Sequence, residues 1–365
     1  MTARRWRPAL PLAGIVLLAL LPVVEVSVPG VLPGPTSTAG TLQLLAVCLL
    51  VGALALTYQL LFGLTGLLSF GHALYFAVGC YLFAIALNTW HLALGPAALL
   101  TLALGTLAAL LVGAISLRVR GISFAMVTLA FAQAGSLLVY HNFGGYTGGE
   151  EGLGLTGATL PESLVGVVNT KNLYWTALAI AVLVYVAVAW LSRTHAGRMM
   201  AAVRENDLRV QVIGVRPYVV RLIAFVTAGA LAALVGMGYV LVQGGASPQV
   251  TTPSFTLSLL VMVVLGGAGA RWGALLGGVL YTLLDQRLAV LASSAQITSL
   301  PGPLRVPLSQ PLFLLGSLFV LVVLFLPGGL AGAIGRLRRG AEPLPALPGG
   351  HGTQGAADRA NIASA

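Results

Sequence analysis

The sequence predicts an all-α integral membrane protein, a polytopic bundle of about ten transmembrane helices. Three observations carry this. Of 365 residues, 58% are hydrophobic and only 8% are Asp, Glu, Lys or Arg, against roughly 25% charged residues in soluble proteins. No acid, Lys or Arg occurs from Val26 to Leu117, or again from Leu222 to Ala270, and stretches of that length cannot face water. The remaining charges gather in short clusters between apolar runs. A span takes about 20 apolar residues, so the chain furnishes roughly ten.

The N-terminus carries Arg4, Arg5 and Arg7 ahead of an apolar run over about 8–28. A small-residue cleavage site is missing and Pro29, Pro33 and Pro35 follow, so the run reads as an uncleaved first helix and not as a signal peptide. Further apolar segments cover approximately 41–62, 66–87, 95–117, 121–141, 173–191, 221–242, 254–270, 272–291 and 309–327. An even number of spans puts both termini on one side. With the N-terminus cytoplasmic, sixteen of the nineteen basic residues fall inside, and only Lys171, Arg287 and Arg305 fall outside. That asymmetry is the one short cytoplasmic loops show. It also accounts for the net charge of +10, which in a soluble protein would point to nucleic acid; no nucleic-acid partner is expected. Cys48 and Cys80 lie inside apolar runs and read as small hydrophobes.

Residues 1–339 thus form a transmembrane domain, with an outer loop over about 142–172 and an inner loop over about 192–220. The Gly-, Pro- and Ala-rich stretch 340–365 has no apolar period and reads as a disordered cytoplasmic tail.

The chemistry that is missing narrows the function. Ion-coupled carriers commonly place ionisable groups within their helices; here Glu25 and Asp285 lie near predicted outer ends, and His72 alone sits well within an apolar segment. A P-loop needs a Lys that reaches the phosphates, and the single Lys of the chain is Lys171, in an outer Asn-Thr-Lys-Asn context. The outer run from Tyr146 to Gly152 is glycine-rich but carries Glu150 and Glu151, which disfavours phosphate. No metal-type Cys/His spacing and no nucleophile elbow occurs. No cofactor and no metal is expected in this chain; an intramembrane enzyme would need a catalytic constellation that it lacks, and if it pumps, the ATPase must be another chain.

Six arginines gather from Arg193 to Arg221. Within that loop, Gly197 to Val215 is rich in helix formers and is punctuated by Gly214 and Pro217. Val203, Leu208 and Val212 interleave with Arg204, Glu205, Asp207 and Arg209, the pattern of a short helix along the inner surface. Two readings stand at this point: an amphipathic helix held by anionic lipid, and a coupling helix seated on a cytoplasmic ATPase.

These residues carry a family resemblance. Gly197 to Ala202, then Arg204-Glu205-Asn206 and Ile213-Gly214-Val215, resembles the cytoplasmic signature of branched-chain amino acid permeases of ATP-binding-cassette transporters. Gly63 to Ala73 is similar to the early helix pair of that family, Leu117 to Phe131 to its mid-chain span, Thr147 to Leu153 to its outer loop, and Val264 to Gly273 to its late glycine-rich turn. The blocks run in order over about 41–330, and the Arg-Glu-Asn loop resembles the longer of two paralogues. The resemblance implies a second, paralogous permease subunit, two cytoplasmic ATP-binding subunits that hold ATP and Mg, and an extracytoplasmic binding protein that delivers the amino-acid substrate. It further implies a multi-pass place among the lipids of the bacterial inner membrane. Relatives that carry urea or short amides, and a self-sufficient secondary carrier or channel, are the alternatives.

On this reading Arg198, Ala202, Arg204, Glu205, Asn206 and Gly214 form the ATPase-coupling segment. Gly66, Ser69, Gly71, His72, Thr128 and Gln133 are expected to line the translocation path or to pack helices. Ser69 and His72, three apart, are expected to share a helix face.

Overall fold

A chain with so few charges satisfies its backbone in a bilayer by folding into helices, since lipid offers no hydrogen bonds. The computed structural model describes residues 9–25, 27, 33–156, 160–164, 166, 169–292, 310–326 and 328–333. Its apolar helices are α1 (Ala9–Leu20), α2 (Ala39–Gln59), α3 (His72–Asn88), α4 (Leu94–Ser116), α5 (Ile122–Tyr140) and α6 (Thr170–Leu191). Two short helices, α7 (His195–Glu205) and α8 (Asp207–Val212), follow at one end of the bundle. The apolar series then resumes with α9 (Pro217–Gln243), α10 (Pro253–Gly266), α11 (Arg271–Ala292) and α12 (Pro311–Phe325). Five of these helices, α2 with its continuation to Thr65, α4, α5, α6 and α9, are long and apolar enough to cross a membrane. The protein is a multi-pass helical membrane protein. Arg4, Arg5, Arg7, Arg305, Arg336, Arg338, Arg339, Arg359 and the tail 340–365 lie outside the described residues.

The core is built around α2, which is buried without interruption from Ala46 to Gln59. A helix that is apolar all round belongs inside, and α2 packs on α11, α6 and α9. Its contact with α11 is backbone on backbone: a Cβ on Gly278 would lie 2.7 Å from Gly52 Cα. In contrast, α4 buries one stripe spaced by four, Ala97, Thr101, Gly105, Ala109 and Gly113, against α9. Leu99, Leu107, Leu111 and Ile115 on its other face are exposed, as a lipid-facing surface requires. Small residues on one side and large apolar ones on the other is how helices associate in lipid, where close packing replaces the hydrophobic effect.

Several boundaries differ from the sequence reading. The third segment, predicted as a helix from residue 66, becomes helical only at His72. Before it, α2 widens into a π-helix over Leu60–Thr65 that Gly66 closes at φ +71°, a conformation open to glycine. Ser69 therefore lies outside any helix and does not share a helix face with His72. The seventh segment starts at Pro217, a residue suited to a first helical position, so that Arg221 sits inside α9. The eighth stops at Gly266, before Gly267 at φ +102°. At the end opposite α7, Leu153–Gly154 (β1) pairs antiparallel with Gly245–Ala246 (β2), tying the loop after α5 to the end of α9.

Gly278→Leu should force α11 away from the Gly52 backbone and cost about 1–3 kcal/mol. It should lower the detergent-solubilised melting temperature, whereas Gly95→Ala, with open space around it, should not.

Candidate functional site

The charged segment folds as two short helices because Asn206 interrupts it, at φ −161° and ψ 110°. Thr194 caps α7 by accepting from Gly197 N at 3.4 Å. A Cβ on Gly197 would lie 2.6 Å from Ser192 Cα, so glycine is what lets α7 fold back against the end of α6. Met200 and Val203 are buried beneath α7, while Arg198 and Glu205 are exposed and Ala202 is half-buried. Asn206 Oδ1 then accepts from Arg209 N at 3.1 Å and caps α8. Gly214 ends α8 at φ +82°, and Val215 N donates back to Val210 O at 3.2 Å. Asn206 and Gly214 thus shape the segment.

Arg204 links this segment to the break after α2. Its Nη1 donates to the Gly63 carbonyl, and its stem lies against Gly66, where a Cβ would meet Arg204 Cγ at 3.0 Å. Gln59 Nε2 donates to the Ala268 carbonyl in the turn between α10 and α11. Arg271, which opens α11, donates to Ser192 Oγ at 2.6 Å and Ala189 O at 3.2 Å, at the end of α6. A second link runs from α8: Asp207 accepts from Arg221 Nη2 through both oxygens at 2.8 Å, and Arg120 Nη1 stands 3.8 Å from it. Charge-assisted pairs of this geometry are stronger than neutral hydrogen bonds.

The broken stretch 66–71 is held from three sides. Phe70 N donates to Thr128 Oγ1 at 3.1 Å, and Thr128 in turn donates to Ala125 O at 2.8 Å. Gly71 passes so close to α5 that a Cβ would lie 2.7 Å from the Thr128 carbonyl. Tyr58 OH donates to Ser69 O at 3.1 Å, and Ser69 Oγ accepts from Gly71 N at 3.3 Å. His72, fully buried, meets Thr57 Oγ1 through Nε2 at 2.8 Å, while Thr57 Oγ1 donates to Leu54 O at 2.7 Å. One hydroxyl proton spent on Leu54 leaves His72 Nε2–H as the donor.

Of the residues singled out in the sequence, Gly66, Ser69, Gly71, His72 and Thr128 come together around this break, and Arg204 reaches it. Gln133 does not: it is exposed on the far face of α5. Sequence reasoning missed Asp207 with Arg221, Arg120, Gln59 and Arg271, whose partners lie on other helices and follow no local period. Of the apolar positions expected on one surface helix, Val203 is buried while Leu208 and Val212, together with Ile213, are 70%, 87% and 66% accessible.

A charged, amphipathic element that bears an apolar edge of its own is thus anchored to a break in a multi-pass apolar bundle. The permease component of branched-chain amino acid transport systems matches over residues 40–334, and the chain belongs to that family. It is 26% identical over 317 residues to the high-affinity branched-chain amino acid transport system permease protein LivM of Escherichia coli (strain K12), covering 80% of this chain and 70% of that one. The Salmonella typhimurium protein of the same name is 28% identical, covering 86% and 74%. The autoinducer 2 import system permease protein LsrC of Enterobacter sp. (strain 638) is 31% identical, covering 73% of each. No solved structure matches.

Asp207→Asn should loosen α8, raising amide exchange over 207–212 by about tenfold, as the loss of charge-assisted hydrogen bonds predicts. Exchange in α4 should not change, and equal protection of α8 in the variant would contradict the anchoring role.

Proposed function

We propose that the chain is the translocation subunit of an ATP-binding-cassette importer, energised by ATPase subunits that dock on α7 and α8. The carrying observation is the exposed edge of Leu208, Val212 and Ile213 on an element whose other contacts, through Arg204 and Asp207, run to the broken helix and to α9. An apolar edge among charges is covered by another surface in the working protein. Displacing that edge would move the segment 60–72 through the two anchors. Topology supports the cytosolic side: the sorting of basic residues puts α7, α8 and both termini there, with ten spans in all.

The substrate in this reading is a branched-chain or similar amino acid, delivered by an extracytoplasmic binding protein. The family description and the LivM relatives support it. A second reading, autoinducer 2 as the substrate, is favoured by the likeness to permeases named for its import. Uptake of labelled leucine in competition with autoinducer 2 separates the two. A second permease subunit completes the pathway in both.

Val212→Glu tests the docking directly. Because Val212 is 87% exposed, the variant should fold. Reconstituted with its ATPases and binding protein, it should lose more than about tenfold in uptake, the scale of an interface hot spot. Normal uptake, or substrate flux through liposomes that hold this chain alone without ATP, would contradict the proposal.

A further inference from the structure

Beside the Asp207 cluster lies a cavity of about 520 Å³ between the broken stretch and the start of α5. Its walls are apolar, with Leu67, Leu68, Phe70, Ile122 and Met126 among them, and its charged lining residues are Arg120 and Arg221. Ile122 and Met126 are 79% and 57% exposed, so the cavity opens sideways onto the exposed face of α5, not only toward the end of the bundle. Two features of the arginines are unspent. Arg221 uses Nη2 on Asp207, but its Nε–H is buried and meets no acceptor among the described residues. Arg120 has a side chain 69% exposed and only a 3.8 Å approach to Asp207.

We infer that this cavity binds an anionic phospholipid of the cytoplasmic leaflet, with its phosphate on Arg120 and Arg221 and an acyl chain along Leu68, Phe70, Ile122 and Met126. The inference goes beyond the proposed transport role and rests only on the cytosolic placement of α7 and α8. The chemistry of the lining selects this occupant. An amino-acid zwitterion would need an acceptor for its ammonium group; no acid lines the cavity, and both oxygens of nearby Asp207 are engaged by Arg221. A free inorganic anion would leave the apolar walls unmatched. A phosphate joined to a hydrocarbon chain meets both ends of the cavity, as basic pockets between helices at the cytoplasmic side do. The bound phosphate would share Arg221 with Asp207, placing lipid within one residue of the α8 anchor.

The test is lipid retention by the assembled transporter, purified in neutral detergent, delipidated, and offered phosphatidylglycerol or phosphatidylcholine under native mass spectrometry. The expected result is preferential retention of phosphatidylglycerol. Arg120→Gln should reduce it about fivefold, the factor one arginine contributes at an anionic surface. Arg193→Gln, an equal change of charge at an exposed position, should leave it within about twofold, since the screened effect of a distant charge is small. Equal retention of the two lipids would overturn the inference, as would equal losses in the two variants. Displacement by excess inorganic phosphate would reveal a free-anion site and overturn the lipid assignment. Retention by the isolated chain that vanishes on assembly would show that protein covers the cavity, with the same consequence.

Discussion

The structure depends on the repair of a broken helix. Inside a bilayer each backbone carbonyl must be paired by protein, and the π-widened turn Leu60–Thr65 followed by the non-helical stretch to Gly71 leaves groups that helix geometry does not satisfy. Side chains from elsewhere supply the partners: Arg204 at Gly63, Thr128 at Phe70 and Tyr58 at Ser69. Arg204 alone among these comes from the charged segment, so the element that faces the aqueous phase is also one of the braces of the break. Irregular backbone at membrane depth is tolerated only where protein or a water-filled cavity surrounds it, which is why such breaks collect at transport pathways.

Around that constraint the remaining contacts fall into order. Gln59 fastens the end of α2 to the turn between α10 and α11, and Arg271 fastens the start of α11 to the end of α6. The chain leads directly into α7 from there. A ring of polar contacts thus joins both glycine-rich turns to the charged segment, while the apolar interior at α2, α9 and α11 is packed through glycine and alanine. Motion imposed on α7 and α8 has stiff routes into the bundle through Arg204 and through Asp207 with Arg221.

Most of the architecture was legible in the sequence because it follows from where charge is absent. Among the described residues, the apolar runs and the glycine-rich turns at Gly66 and Gly266 stand close to where composition places them. Legibility ended where chemistry was non-local. The start of α3 was misplaced because Leu67 to Gly71 is as apolar as a helix, and only the hydrogen bonds offered by Thr128 and Tyr58 make an unwound path stable. Asp207 looked like one more charge on a solvated face, because its partner Arg221 lies a helix away. The role of Thr128 was of the same kind: its hydroxyl braces backbone, a use that no spacing reveals. Gly214, by contrast, was read correctly as a stop, since its positive φ is a local demand.

The central claim is that Arg204 couples the charged segment to the break after α2. Substrate transported per ATP hydrolysed, measured in proteoliposomes with the fully assembled complex carrying Arg204→Ala, tests it most directly. Assembly and basal ATP hydrolysis should persist, because the apolar edge at Leu208, Val212 and Ile213 is untouched, while transport per ATP should fall about tenfold, the scale of one lost hydrogen bond from a charged group. An unchanged ratio in a complex of normal assembly would contradict the account.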